Sequence, residues 1–419
     1  MRLGITVGLA TLLLTALLWA SASGMPTIAS SSADQETRAL NNGSVITIGV
    51  AAALSGGAES IGWPQANAVQ LAISQTNAAG GIDIGGVTYT LKLVTDDSAC
   101  DATQAVTTAN TLLDAGAVAI VGHTCSGASD PAQKVYNAAG VPMISPVSTI
   151  PQLTEQGYTT TFRVISRDDS PAIMMATHFR NQMNLDKAAI VELVGFWWEN
   201  FATDVFSNTF TSLGGTITSR RIVTSTADYT AALVAIQAEN PDVIYHGDTD
   251  ANNAGLLSSI AHGLGMSDVI IAWDTFSDDK AVLGDYATAA GAAAEGDHAG
   301  MHYRSVDHMP GYDNLNTDYQ AAGFPNYGDE AQMWGAFAYD AAKIIIAAID
   351  RADSADPVAI RDEIAATADY DGVVGTYEGF DAKGDVIPQW AWLEQYQNGQ
   401  WVMVYPYKVF LPLVLNNFQ

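Results

Sequence analysis

Only two cysteines, Cys100 and Cys125, occur in the 419 residues. Two thiols are too few for a structural zinc site, and no Cys-x-x-Cys is present. Cationic side chains are scarce as well: 17 Lys and Arg face 45 Asp and Glu, a formal charge of −28. A surface this acidic repels phosphate backbones, which excludes nucleic-acid binding, and it excludes adhesion to anionic membranes through a basic patch. Phosphate cradles of the Gly-x-Gly-x-x-Gly and Gly-x-x-x-x-Gly-Lys-[Ser/Thr] types are missing, as is His-Glu-x-x-His. Around Ser126 the sequence Thr124-Cys125-Ser126-Gly127-Ala128 lacks both glycines of a nucleophile elbow. These absences leave no basis for an enzyme. What is present is a normal apolar fraction, 48% with 9% aromatic residues, so disorder is excluded and cores of two to three domains are within reach.

Long apolar runs are confined to the ends. Met1 and Arg2 precede an apolar run at 3–19, and Ala20-Ser21-Ala22 supplies the small residues that signal peptidase reads. The run is at the short edge for spanning a bilayer, where about 20 residues are needed. The reading is a cleaved secretory signal at 1–22 and a Ser/Ala/Thr-rich leader at 23–44; an uncleaved anchor is the rival. In the oxidising compartment this implies, a single cysteine pair is most simply a disulfide between Cys100 and Cys125. The second apolar stretch, 402–415, is broken by Pro406, Lys408 and Pro412, which suits a terminal strand and a tail at 406–419.

Between the ends the pattern alternates. Strands are expected at 45–50, 89–94, 118–122 and 141–144, with helices at 63–77, 102–115 and 131–139. The rhythm restarts after Arg167, with strands at 188–194, 216–223, 243–245 and 269–273. Helices are expected there at 171–183, 201–213, 231–239 and 253–262. Two more follow at 334–352 and 359–366, and a short strand at 375–379. Such βα alternation implies two α/β units in series, each a parallel sheet covered on both faces. In open α/β sheets ligands bind beyond the carboxyl ends of strands. Three loops there carry polar chemistry: His123-Thr124-Cys125-Ser126-Gly127, Ser145-Pro146-Val147-Ser148-Thr149, and Asp274. Hydroxyls and free N–H groups at a helix start suit a carboxylate, and an isolated acid suits an ammonium. The best metal candidates, His298, His302 and His308 with Asp297 and Asp307, read as a polar surface segment, and no metal or cofactor is expected.

The motifs resemble the type I periplasmic solute-binding proteins of ABC importers, in the leucine/isoleucine/valine-binding branch. The resemblance is carried by Ala53-Leu54-Ser55-Gly56, Asn77-Ala78-Ala79-Gly80-Gly81-Ile82, Asp96-Asp97-Ser98-Ala99-Cys100-Asp101 and Val121-Gly122-His123-Thr124-Cys125-Ser126. Met143-Ile144-Ser145-Pro146, Leu153-Thr154-Glu155-Gln156-Gly157-Tyr158, Ala294-Glu295-Gly296, Tyr339-Asp340-Ala341 and Phe380-Asp381-Ala382-Lys383-Gly384-Asp385 continue it. It implies two Rossmann-like lobes joined by three crossovers, lobe one at 45–167 and 301–388, lobe two at 168–300 and 389–405. It implies an exported, monomeric, non-enzymatic component that closes on a small zwitterion and hands it to membrane subunits of an importer.

By the same resemblance, Ser126 and Thr149 would meet the ligand carboxylate, with backbone groups of Thr124 and Val147. Asp274 would meet the ammonium, in place of the family's longer glutamate. Ile61, Trp63, Trp197, Thr249 and Trp334 fall at or near side-chain pocket positions, Trp63, Trp197 and Trp334 forming an apolar box unless they are core residues. An aliphatic or branched-chain amino acid is the expected guest. An amide, urea-like or aromatic-acid solute is the alternative, as is a sensor subunit partnering a membrane receptor.

Overall fold

Short runs rich in Val, Ile and Ala, apolar on both faces, are the signature of strands sandwiched between helices. β1 (Val45–Ala52) shows it, being buried at every position after the first. The computed structural model describes residues 45–194, 197–275, 280–302 and 305–409. The expected signal segment and leader at 1–44 and the tail residues 410–419 lie outside the described residues.

The first sheet adds β2 (Ile82–Ile84), β3 (Val87–Asp97), β4 (Ala117–Gly122), β5 (Met143–Ser145) and β6 (Thr161–Arg163), in the order β2-β3-β1-β4-β5-β6. Only β2 runs antiparallel to its neighbour. Helices Glu59–Ala78 and Gln332–Ala352 pack on one face, where Val69, Ile73, Phe337 and Ile345 join Ile46, Ile48 and Val121 in one core. Helices Ala102–Asp114 and Ser126–Ala139 cover the other face through Leu112, Ala128 and Tyr136.

The second sheet is built from β7 (Lys187–Leu193), β8 (Thr216–Val223), β9 (Val243–Gly247), β10 (Ile270–Thr275) and β11 (His298–Met301). The two-residue strands β12 (Tyr370–Asp371), β13 (Thr376–Tyr377), β14 (Gly379–Phe380) and β15 (Val386–Ile387) pair as β12 with β13 and β14 with β15. β16 (Gln389–Gln397) and β17 (Gln400–Val409) then complete the second sheet, whose order is β17-β16-β11-β10-β9-β7-β8. Its last two strands run antiparallel. Helix Ser170–Thr177 lies on one face with Phe179, Phe206 and Tyr245, and helices Tyr229–Gln237 and Ala251–Gly263 on the other.

Several expectations are corrected here. The helix expected at 131–139 begins at Ser126. The strand expected at 375–379 is split between β13 and β14. β17 runs to Val409, past the expected limit of 405; it is an edge strand, the place in a sheet where a proline such as Pro406 is accommodated. The segment 297–302, read as polar surface, is instead the buried strand β11 and its flanks, with Asp297, His298 and His302 at 3%, 1% and 1% exposure. Asp297 is buried with partners, which a hydropathy pattern does not register: Ser258, Tyr286 and the N–H of Ile271 donate to it.

The chain passes between the sheets three times, after β6, after β11 and after β15. These passages are strapped together. The N–H of Arg167 donates to Gln389 Oε1 at 2.8 Å, and Ser166 donates to the carbonyl of Trp390. His302 Nε2 sits 3.5 Å from Asp168 Oδ1. Buried Arg163 pairs with Asp385, and Arg167 with Asp169 (2.9 Å) and Asp385 (3.2 Å). Burying such charges is tolerable only because each is paired.

Candidate functional site

The carboxyl ends of β1, β4 and β5 bring the lobe-one loops together. Gly122 ends β4 at φ +146°, and a Cβ there would lie 2.3 Å from the carbonyl oxygen of Ala51. Only glycine lets the chain turn this close to β1. The turn leads to Cys125, which caps helix Ser126–Ala139 and forms a disulfide with Cys100, their Cα atoms 5.3 Å apart. Ser126 is therefore the first residue of a helix, where backbone N–H groups lack intrahelical partners.

The next loop is fixed beside it. Ser126 Oγ accepts from the N–H of Ile150 at 3.4 Å, so Ser126 and the residue after Thr149 are neighbours. Below them Ser148 donates to the carbonyl of His123 at 3.2 Å and lies 2.6 Å from Ser129 Oγ. The Thr124 hydroxyl is used inside the lobe, accepting from Ala53 N at 3.0 Å and donating to Gln65 at 3.3 Å. What Thr124 has left to offer a guest is main chain. Val147 is half-buried on the same loop as Thr149.

The N–H of Asp168 donates to the Thr149 carbonyl at 3.0 Å. Burial pushes the Asp168 carboxyl up to about 7, while the polar Thr149 and the charge of Arg163 pull it down. Burial also pushes the His302 imidazole down to about 3, so its contact with Asp168 is made by a neutral ring. Sequence reasoning did not single out Asp168, and His302 figured only as a metal candidate; both emerge where crossovers meet.

Asp274 lies at the carboxyl end of β10 in the second sheet, 3% exposed. It pairs with Gly300 of β11, two residues before His302. Thr149, Asp168, His302 and the end of β11 thus form a continuous path from the first lobe to the strand beside Asp274. The hydroxyl of Tyr245 donates to Asp274 Oδ2, and Oδ1 has no hydrogen-bond partner among the described residues. Burial pushes the Asp274 carboxyl up to about 7, with the Tyr245 hydrogen bond acting in the opposite direction.

The expected pocket residues scatter more. Ile61 and Trp63 are half-buried in the first turns of helix Glu59–Ala78, and Trp63 Nε1 donates to the Leu54 carbonyl at 3.0 Å, holding the indole over the loop after β1. Trp334 packs half-buried against the lobe-one core. Thr249 is half-buried in the turn before helix Ala251–Gly263; its neighbour Asp248 is occupied by Asp250 N (2.9 Å) and Asn253 Nδ2 (2.8 Å). Trp197 opens helix Trp197–Ser212, and its side chain lies outside the described residues. His298 packs against His178 and Phe179, and His308 is exposed on a 3-10 turn. Among the described residues no three His, Cys, Asp or Glu side chains come together as metal ligands. Cavities of about 340 and 170 Å³ lie away from the carboxyl ends of the strands, the first against Tyr339 and Tyr370 and the second against Ser258 and Asp297 at the amino ends of β10 and β11.

A family model described as periplasmic binding protein matches residues 45–400, most of the chain. The chain is a periplasmic binding protein. Among curated relatives, this periplasmic binding protein is 30% identical over 328 residues to the Leu/Ile/Val-binding protein BraC3 of Rhizobium johnstonii, covering 78% of this chain and 84% of that one. It is 29% identical over 344 residues to an amino acid binding protein of Pseudomonas aeruginosa, with 81% and 87% covered. Among solved structures, a leucine-binding protein from Thermotoga maritima superposes with a TM-score of 0.63 at 25% identity, over 86% of this chain and 98% of that one. The resemblance carried by the short motifs is thus met by the family itself, a family of binding proteins rather than enzymes. Among the described residues no helix of this periplasmic binding protein is long and apolar enough to cross a membrane.

Proposed function

We propose that this periplasmic binding protein captures an aliphatic α-amino acid between two lobes and delivers it to the membrane subunits of an ABC importer from an extracytoplasmic compartment. Lobe one comprises 45–167 and 301–388, and lobe two 168–300 with β16 and β17. Ser126 and Thr149, with main-chain groups of Thr124 and Val147, take the carboxylate. Asp274 takes the ammonium, and Ile61 and Trp63 supply apolar wall. The observation that carries this reading is Asp274 itself: a buried carboxylate oxygen with no hydrogen-bond partner among the described residues, at the carboxyl end of a lobe-two strand. A buried charge without a counter-ion is costly, and a guest's ammonium removes the cost by charge-assisted hydrogen bonding. The guest gains affinity for the closed form because it touches both lobes, which shifts the population towards that form. The relatives named for Leu, Ile and Val support an aliphatic side chain.

The test is a thermal shift series. Leucine or valine is expected to raise the melting temperature of the wild type, by mass action on the folded state. Asp274→Ala is expected to abolish the shift. An unchanged shift in that variant contradicts the ammonium assignment, and stabilisation by benzoate or a small amide in place of amino acids contradicts the choice of guest.

A further inference from the structure

Tyr245 lies on β9 opposite Ala272 of β10, so it and Asp274 are diagonal neighbours on one face of the sheet. That face is covered by helix Ser170–Thr177, whose Met175 is fully buried. The Tyr245 ring is itself fully buried and stacked on Phe206, centroids 4.3 Å apart and planes 11° from parallel. A phenylalanine would fill this apolar site equally well; a hydroxyl there is costly unless bonded. Its partner is Oδ2 of Asp274. On the opposite side Gly300 faces the acid, and a Cβ at that position would lie 3.2 Å from Asp274 Oδ1 and 2.7 Å from Met175 Cε. One carboxylate oxygen is therefore tied down, while the other lies beside the bare Cα of Gly300 and the Met175 side chain, where a Cβ on residue 300 would crowd it.

We infer that Tyr245 is the positioning residue of the ammonium site: its hydroxyl holds Oδ2 of Asp274 and leaves Oδ1 to receive the guest's N–H. The inference rests on the ammonium role proposed for Asp274. It also explains how an aspartate serves where a longer side chain would reach further, because a short acid held by a rigid phenol has a defined aim. By favouring the ionised carboxylate, the same hydrogen bond opposes the effect of burial on Asp274. The other titratable or charged groups near this face are His298 on β11 and His302 just after it, His178 at the end of helix Ser170–Thr177, Asp168 and Asp169 ahead of it, and Glu192 of β7, paired with Arg220 of β8. Burial pushes the His298 and His302 imidazoles down to about 3, so they stay neutral across the tested range. It also lowers His178 and raises the two aspartates. None of these groups donates to Asp274 among the described residues.

The experiment is calorimetric titration of leucine from pH 6 to pH 9 with the wild type, Tyr245→Phe and Asp274→Ala. Losing the hydrogen bond raises the Asp274 carboxyl, so in Y245F the rise of affinity with pH moves upward by about one unit. Affinity then falls about tenfold at pH 6 to 7 and recovers near pH 9, since one pKa unit is a factor of ten. A uniform loss at every pH, or none, overturns the inference, because it makes Tyr245 a packing residue only. Leucine bound equally by D274A instead overturns the function reading, and the inference with it. Should Y245F not fold, the Tyr245 hydroxyl proton in the wild type is the second measurement. It is expected far downfield and displaced in D274N; a hydroxyl signal indifferent to D274N overturns the inference.

Discussion

Asp274 joins two properties that rarely coexist at a site with no function: nearly complete burial and an oxygen without a hydrogen-bond partner among the described residues. Its carboxyl is raised to about 7 by burial, so at pH 6 the free protein holds it mostly protonated. A bound ammonium demands the ionised form. Binding at pH 6 must therefore expel a proton, whereas at pH 8 the carboxylate is already charged. Calorimetry of leucine binding in two buffers of different ionisation enthalpy is expected to show proton release approaching one per guest at pH 6 and vanishing by pH 8. Equal heats in both buffers at pH 6 would contradict an acid poised in this way. The residue type and its strand-end position were legible in the sequence, as were Ser126 and Thr149. Tyr245 was not, because its role depends on register between β9 and β10, and nothing local in Val243-Ile244-Tyr245 encodes which strand lies alongside. Asp168 was missed for a similar reason: its partners Thr149 and His302 come from two other passages of chain.

At the scale of elements, the lobe-one site is made by helix starts. Asp101 caps helix Ala102–Asp114 by accepting from Thr103 and Gln104 at 2.9 and 2.7 Å, and Cys125 occupies the cap of helix Ser126–Ala139. The disulfide to Cys100 fastens one helix start to the other, so it sets where Ser126 points as well as closing a loop. Replacing both cysteines by serine is expected to lower unfolding free energy by about 3 kcal/mol in the chain-entropy account. Denaturant titration checks this, and an unmoved midpoint would contradict it. Most elements were visible in advance because their apolar residues follow helical or strand spacing. β11 escaped because Asp297, His298 and His302 are polar yet buried. Hydropathy reports what a side chain prefers in isolation, and these residues are interior only because neighbouring chain surrounds or bonds them.

For the whole molecule, two sheets joined by three strapped passages are suited to relative motion, because few segments must bend. The strapping is ionic and buried at Arg163, Arg167 and Asp385, and it gathers the passages beside Thr149 and His302. Alternating βα pattern made the two-sheet architecture readable, whereas the edge pairing of β16 with β17 was hidden by Pro406 and Lys408 in the second strand. The central claim is that one guest is held at its two ends by two different sheets. A crystal structure of the protein with leucine tests it most directly. The account predicts the guest's carboxylate on Ser126 and Thr149 and its ammonium on Oδ1 of Asp274. Leucine bound with its ammonium on any group other than Asp274, or wholly within one lobe, would contradict it.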